Sequence, residues 1–314
     1  MPQLVDRTLC LLYRVLPAAH SQEERQTADA FALWAGEWID LMHHMGFVVE
    51  IPPDLQFAAA SVKARRTGKR PILNGPWARL SGCCDALYTF ETELWPRFAA
   101  IKDTVEFCPG DHAGCATALA VLWMLKGGPR VAGCIGGSAL HGPDAGPALE
   151  EVALSLYAQG LETGLTHLDK LPEATALLRE AGQEVSHHKA VLGADIFAVE
   201  SGIHVDGIVK KPFLYEPYTP ATVGLERQIV VGKHSGRVSL RIKARQLGLN
   251  LPRTAEEHML ELVQQLAERQ QCSLTDAQFL DLCHACHPPE SLSSARTDCC
   301  GLSGATASVE VGHA

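Results

Sequence analysis

The sequence predicts an α/β protein with parallel strands and a mostly helical C-terminal part. Three observations carry this. Short apolar runs alternate with amphipathic stretches through the first half of the chain. The first amphipathic stretch is long enough to cross over between parallel strands. Beyond about position 190, closely spaced prolines and then helical periodicity replace the alternation.

In order, Leu4-Val5-Asp6 reads as the end of a short buried strand. Ser21 to Met45 reads as a helix, with Ser21 as cap, Glu23 and Glu24 in the first turn, Phe31, Trp34, Ile39 and Leu41 spaced along it, and Gly46 ending it. Phe47 to Ile51 is a second strand, halted by Pro52-Pro53. Thr104 to Phe107 is a strand, Ala116 to Lys126 a helix stopped by Gly127-Gly128-Pro129, and Arg130 to Ile135 a strand. A Gly-rich loop leads to helices at Pro147 to Gln159 and Leu171 to Ala181. After a loop-rich stretch with Pro212, Pro217 and Pro220, helices are expected at Val238 to Gln246 and Ala255 to Gln270. The domains expected are residues 1–189, a helical subdomain at 190–287, and a disordered tail at 288–314, which is rich in Ser, Gly and Cys.

The 314 residues are 46% apolar and 20% charged, with a formal net charge of -9. That balance offers no basic surface for nucleic acid and no electrostatic attraction to an acidic membrane. The N-terminal apolar run is broken by Arg7 and Arg14, and no stretch of about 18 apolar residues occurs, so a cytoplasmic protein handling small molecules is expected. Its 11 cysteines follow no disulfide-framework spacing and are expected to be reduced. Cys283-His284-Ala285-Cys286-His287 matches C-x-x-C-H and leaves three readings open: haem attachment, a zinc site, or surface residues at a fraying C-terminus, of which the last is the expectation.

The run from Ala148-Leu149-Glu150-Glu151-Val152 through "TGLTHLDKLPEATALLREAG" and "VLGADIFAVESGIHVDG" to "VGKHSGR" closely resembles the homocitrate synthase and 2-isopropylmalate synthase family, with the nitrogen-fixation homocitrate synthases nearest. The resemblance implies a (β/α)8 TIM barrel followed by a helical subdomain. It also implies a Claisen condensation of acetyl-CoA with a 2-oxo acid such as 2-oxoglutarate, dependent on Mg, Mn or Zn. By the same carry-over His204 is the candidate base, and Glu50, ending the second strand, is a candidate substrate-binding carboxylate. "GKHSGR", Gly232 to Arg237, lacks the phosphate-loop spacing and reads as a structural turn.

Three family elements are altered. Where the family opens with D-T-T-L-R-D-G-E-Q, Cys10 stands at the cation and Leu11 at the metal carboxylate, with Arg14 a displaced stand-in. Where it has H-x-H, Cys108 and Gly110 stand, leaving Cys108, His112 and Cys115 as a different, softer set. In the third loop Gly142 and Gly146 replace a Glu and an Asn, and Val199 replaces the His of F-x-H-E. A side chain such as Leu offers no oxygen to Mg or Mn, so no metal site and no bound cofactor are expected. Asp6 and Cys108 lie roughly 100 positions apart, room for about three βα units where the family has about six, so the barrel is expected to be incomplete. The sequence therefore describes a shortened, impaired or altered condensing enzyme. The alternative is a non-catalytic partner, assembling with itself or with an intact homologue.

Overall fold

The computed structural model describes residues 2–13, 22–52, 77–84 and 86–286, with the backbone alone for 22–29. Expectations at Arg14, Ser21, His287 and the tail lie outside the described residues. The chain divides into two compact units, Met1–Phe197 with Glu216–Arg227, and Ala198–Tyr215 with Gln228–Ala314. The loop-rich stretch had pointed to a division near Lys189, and a proline-bearing segment returns to the first unit.

In the first unit, β1 (Gln3–Asp6), β2 (Val48–Val49), β3 (Ala78–Gly82), β4 (Val105–Pro109) and β5 (Arg130–Gly133) form one parallel sheet in the order β2-β1-β5-β4-β3. Helices α1 (Thr8–Tyr13), α2 (Gln22–His44), α3 (Ala116–Leu125), α4 (Leu149–Ala158) and α5 (Leu171–Glu180) accompany it. This is a mixed α/β unit consistent with a partial barrel-derived domain. Strand β3 was not expected, because Ala78-Arg79-Leu80-Ser81-Gly82 is mostly exposed and lacks β-branched residues.

Strand parity assigns the two faces of the sheet. Leu4, Val49, Val105, Phe107 and Val131 join one apolar cluster with Trp34, Trp38 and Met42 of α2, Leu119 and Trp123 of α3, Val152 and Leu156 of α4, and Leu178 of α5. The positions named in α2 recur every four residues, as on one helix face, whereas α3 is apolar almost throughout and was legible as an apolar run stopped by Gly127-Gly128-Pro129. Trp34 Nε1 also donates to Leu177 O at 2.7 Å, tying α2 to α5.

The other face carries a row of charge. Gln3 lies opposite Arg130 and Arg79 opposite Glu106, while Val48, Val5, Ala132 and Cys108 form a small apolar row beside them. Arg130 Nε donates to Glu106 Oε2 at 2.7 Å and its Nη1 to Gln3 Oε1 at 2.6 Å. Arg79 donates to Glu106 Oε1 through Nε at 2.8 Å and Nη2 at 2.5 Å. Arg79 Nη2 also reaches Glu50 Oε2 at 2.5 Å, although Glu50 follows β2 at the opposite edge. Neighbouring strands lie about 4.8 Å apart, so a flat sheet would separate these edges by roughly 19 Å. A single ion pair spans them only because the sheet curls around this face.

The second unit contains the two-stranded parallel pair β6 (Ala198–Val199) and β7 (Gln228–Ile229), and helices α6 (Gly202–Lys210), α7 (Arg237–Gln246), α8 (Glu256–Gln270) and α9 (Asp276–Cys286). Its core joins Val231, Leu240, Ala244, Met259, Val263, Ala267, Phe279 and Cys283. Cys283 corrects one expectation: it is buried on α9, four residues after Phe279, and does not lie on a frayed surface. Burial, and then the neighbouring Cys286, push its thiol up to about 11. Among the described residues no helix is long and apolar enough to cross a membrane.

Glu106 and Arg130 are both about 95% buried, so removing one charge strands the other. Glu106→Gln is expected to lower unfolding free energy by about 3 kcal/mol, read from urea denaturation followed by tryptophan fluorescence. A change below about 1 kcal/mol would show that the charge row contributes little.

Candidate functional site at the strand ends

Ligand sites in parallel α/β sheets form beyond the carboxyl ends of the strands. Here those ends carry Asp6 at the end of β1 and Arg7 after it, Glu50 after β2, Cys84 after β3, Cys108 to His112 at and after β4, and Cys134 after β5.

Asp6 faces the helices, where its fully buried carboxylate accepts from Thr8 N at 3.0 Å, Thr8 Oγ1 at 2.6 Å and Trp38 Nε1 at 2.7 Å. Burial raises its carboxyl above the ordinary value, against these donors. Thr8 Oγ1 in turn accepts from Ile135 N at 3.1 Å. Asp6 is therefore a pin joining β1, α2 and the turn after β5. The next residue faces the opposite way: Arg7 Nη1 donates to Cys108 Sγ at 3.1 Å, and Arg7 Nε lies 3.3 Å from Glu50 Oε2, at ion-pair distance without hydrogen-bond geometry.

Glu50 thus sits between two guanidiniums. Burial alone would raise its carboxyl, but the hydrogen bond and charge of Arg79, with the charge of Arg7, hold it below the ordinary value. Cys10, at the expected cation position, donates from Sγ to Glu50 O at 3.4 Å, and burial followed by the Glu50 charge pushes its thiol up to about 12. Leu11, at the expected carboxylate position, lies within helix α1.

The softer set is not brought together. Cys108 is held by Arg7, Cys115 Sγ donates to Ala113 O at 3.3 Å, and His112 Nδ1 lies 3.5 Å from Cys84 Sγ. Asp111 accepts from Ala116 N at 2.8 Å, starting α3, and from the Ser138 hydroxyl, so its carboxylate is committed to the loops. In the third loop Gly142 and Gly146 carry left-handed φ values of 81° and 80°, and the His141 ring, which burial holds below its ordinary pKa, lies with Nε2 3.0 Å from Ile135 O. Among the described residues no group of three or more His, Cys, Asp and Glu is arranged to hold a metal ion. The residues present do not fit the divalent metal that the resemblance implies.

His204 belongs to the second unit, on α6, exposed and with its ring centroid 5.8 Å from that of Tyr215. The G-I-H segment is thus the first turn of a helix. Glu200, of the altered F-x-H-E segment, accepts from His234 N at 2.8 Å and Ser273 Oγ at 3.0 Å, and Ser235 N donates to Gly232 O at 3.2 Å, closing the "GKHSGR" turn. Glu50 and His204 lie in different units, each with its own neighbours. Arg7 and Arg79 were missed from sequence, and the signal for Arg7 was parity with Gln3 and Val5 along one strand face.

Glu50 gives a pH prediction. Its folded pKa lies below the unfolded value of about 4.3, so its contribution is complete above that value and is lost as pH falls through the lower folded value. Glu50→Gln should cost about 1 to 2 kcal/mol at pH 7. The gap between wild type and variant, from urea unfolding across pH 3 to 7, should close toward the acid end. A gap independent of pH would remove the ion pair as its cause.

Comparison with known proteins bears on this geometry. Residues 191–271 match a family model described as "Homocitrate synthase post-HMGL domain-like". A 2-isopropylmalate synthase of Caldanaerobacter subterraneus subsp. tengcongensis is 36% identical over 211 residues, 65% of this chain and 54% of that protein. A homocitrate synthase of Nostoc sp. is 34% identical over 185 residues, 59% of this chain and 48% of its own length. A 2-isopropylmalate synthase of Bacillus anthracis is 35% identical over 164 residues, 51% of this chain and 32% of its own. The chain spans about half the length, or less, of these relatives. Over residues 191–271 and beyond them, the chain is similar to the homocitrate synthase and 2-isopropylmalate synthase family.

Proposed function

We propose that this chain is a homocitrate synthase-like protein derived from an incomplete TIM barrel, in which metal-dependent condensation of acetyl-CoA with a 2-oxo acid has been lost. The observation that carries the reading is the state of Glu50. A substrate-site carboxylate must be available to substrate, whereas Glu50 is already engaged by Arg79 and lies beside Arg7. Arg7, the cation nearest the strand ends, is committed to Glu50 and Cys108, so neither charge is poised for an enolate. Leu11, Cys108 and Gly110 supply no hard oxygen ligand.

The strand order supports the barrel reading. The N-terminal strand β1 lies between β2 and β5, so the first and last described strands of the unit pair with each other, as in a closed (β/α)8 ring. An arc with strands missing after β2 would have this order, and the relatives' greater length agrees with it. His204 remains the candidate base by family resemblance. A second reading, a non-catalytic partner of an intact homologue in the cytoplasm, is favoured by the mostly exposed edge strand β3.

The test is release of CoA thiol from acetyl-CoA with 2-oxoglutarate and other 2-oxo acids, in Mg, Mn or Zn. No metal-dependent release above background is expected. Release that requires metal and disappears in His204→Ala would overturn the proposal. Light scattering of mixtures with an intact synthase tests the second reading, and separate elution of the two proteins would count against it.

A further inference from the structure

Past the ends of β3 and β4 the first unit assembles three groups that the condensation chemistry does not use. Cys84 Sγ lies 3.5 Å from His112 Nδ1, and His112 Nε2 lies 3.6 Å from Asp144 Oδ1. The first separation suits a sulfur hydrogen bond; the second is ion-pair distance, longer than a formed hydrogen bond. The imidazole thus has a thiol beside one nitrogen and a carboxylate beside the other, the pairing that activates a nucleophile and orients its base, and such contacts are often loose before substrate binds.

The backbone holds the three elements together. Gly110 N donates to Gly82 O at 2.7 Å, joining the turn that carries Cys84 to the loop that carries His112. Asp111 N donates to Pro143 O at 2.9 Å, joining that loop to the helical turn Pro143–Ala145 that carries Asp144. Gly110 matters twice. A Cβ there would lie 2.8 Å from Cys84 Sγ, so only glycine leaves the sulfur room to approach the imidazole. The position where the family has a metal-binding imidazole has become the space a thiol occupies.

We propose that Cys84, His112 and Asp144 form a nucleophilic thiol site that accepts an acyl group from a thioester. In the tautomer these partners favour, His112 Nδ1 accepts the Cys84 proton while Nε2–H faces Asp144. The thiolate attacks the thioester carbonyl carbon, forming a new C–S bond. The tetrahedral intermediate collapses with cleavage of the original C–S bond, and the leaving thiol takes its proton from the imidazolium. One thioester is exchanged for another, so no oxidant, reductant or metal is needed, and because the two thioesters are near-equal in energy a thioester is a better match than an amide or an oxygen ester, from which transfer to a thiol runs uphill. His112 is half-exposed and Cys84 partly so, which leaves the site open to a reagent.

The proposal stands apart from the condensation reading, because exchange can occur with or without loss of condensation. The full chain is treated with limiting chloroacetamide and, separately, with the acetyl thioester of N-acetylcysteamine, and labelled peptides are quantified by mass spectrometry. Cys84 should be alkylated at least about tenfold faster than Cys115 and Cys272, and should gain a hydroxylamine-sensitive acetyl group. His112→Gln should slow both reactions at Cys84 about tenfold while leaving Cys115, the internal control for folding, unchanged. Asp144→Asn should have a smaller effect in the same direction. Equal alkylation of Cys84 and Cys272, no acetyl transfer to Cys84, or a rate at Cys84 unaffected by His112→Gln would each overturn the proposal.

Discussion

The chain of charges Arg130, Glu106, Arg79, Glu50 and Arg7 is the constraint around which the first unit is organised. Helices cover one face of the sheet with large apolar side chains. The other face could close on an apolar interior only if its residues were apolar, and three of the five strands instead place Arg79, Glu106 and Arg130 there. Two half-neutralised arginines need a shared acid, and Glu106 serves both. Arg79 Nη2, already donating to Glu106, reaches Glu50 as well, and that contact requires the curl. Buried charges of this kind are weak evidence for net stability, but each is costly to strand, so together they select one curvature among many.

That constraint bears on the strand-end region, where the family resemblance would place a metal and a substrate. The scaffold beneath it persists: Asp6 pins β1 to α2, Asp111 starts α3, and glycines still turn the loop after β5. The positions that would face a metal and a substrate carry Leu11, Cys108 and Gly110, while the charges that remain point at one another. A site whose acid and cation are mutually satisfied has little field left for an incoming anion. Packing and polar chemistry have separate requirements, and under the proposed reading the first is met here without the second.

The elements legible in the sequence were those with a strong local signal. Helices α2, α4, α5, α7 and α8 show apolar periodicity, α3 is an apolar run closed by Gly127-Gly128-Pro129, and β1, β4 and β5 are compact apolar runs. Strand β3 has no such signal, because its identity comes from pairing with β4, a long-range contact. Helix α6 contains Gly202 and Gly207, poor helix formers, and forms where Val205 and Ile208 become buried. Glycine at 207 leaves room for the Tyr215 ring, which would have to shift to admit a Cβ there. Glu50 was recognisable by resemblance, but its capture by Arg79 was not, since the two lie at opposite edges of the sheet. The Cys84 and His112 pair was equally hidden: the vicinal cysteines follow a strand that sequence did not announce. Cys283 was misplaced because C-x-x-C-H drew notice to its chemistry, while its four-residue spacing from Phe279 marked a packing role.

The return of Glu216–Arg227 to the first unit has a topological meaning. Arg227 pairs there with Glu216 through two hydrogen bonds, Val223 is fully buried, and Gly224 lies against the Asp169 backbone. The polypeptide therefore passes from one unit to the other at three places. Neither unit is a contiguous cassette, so recombination at a single breakpoint cannot transplant one intact.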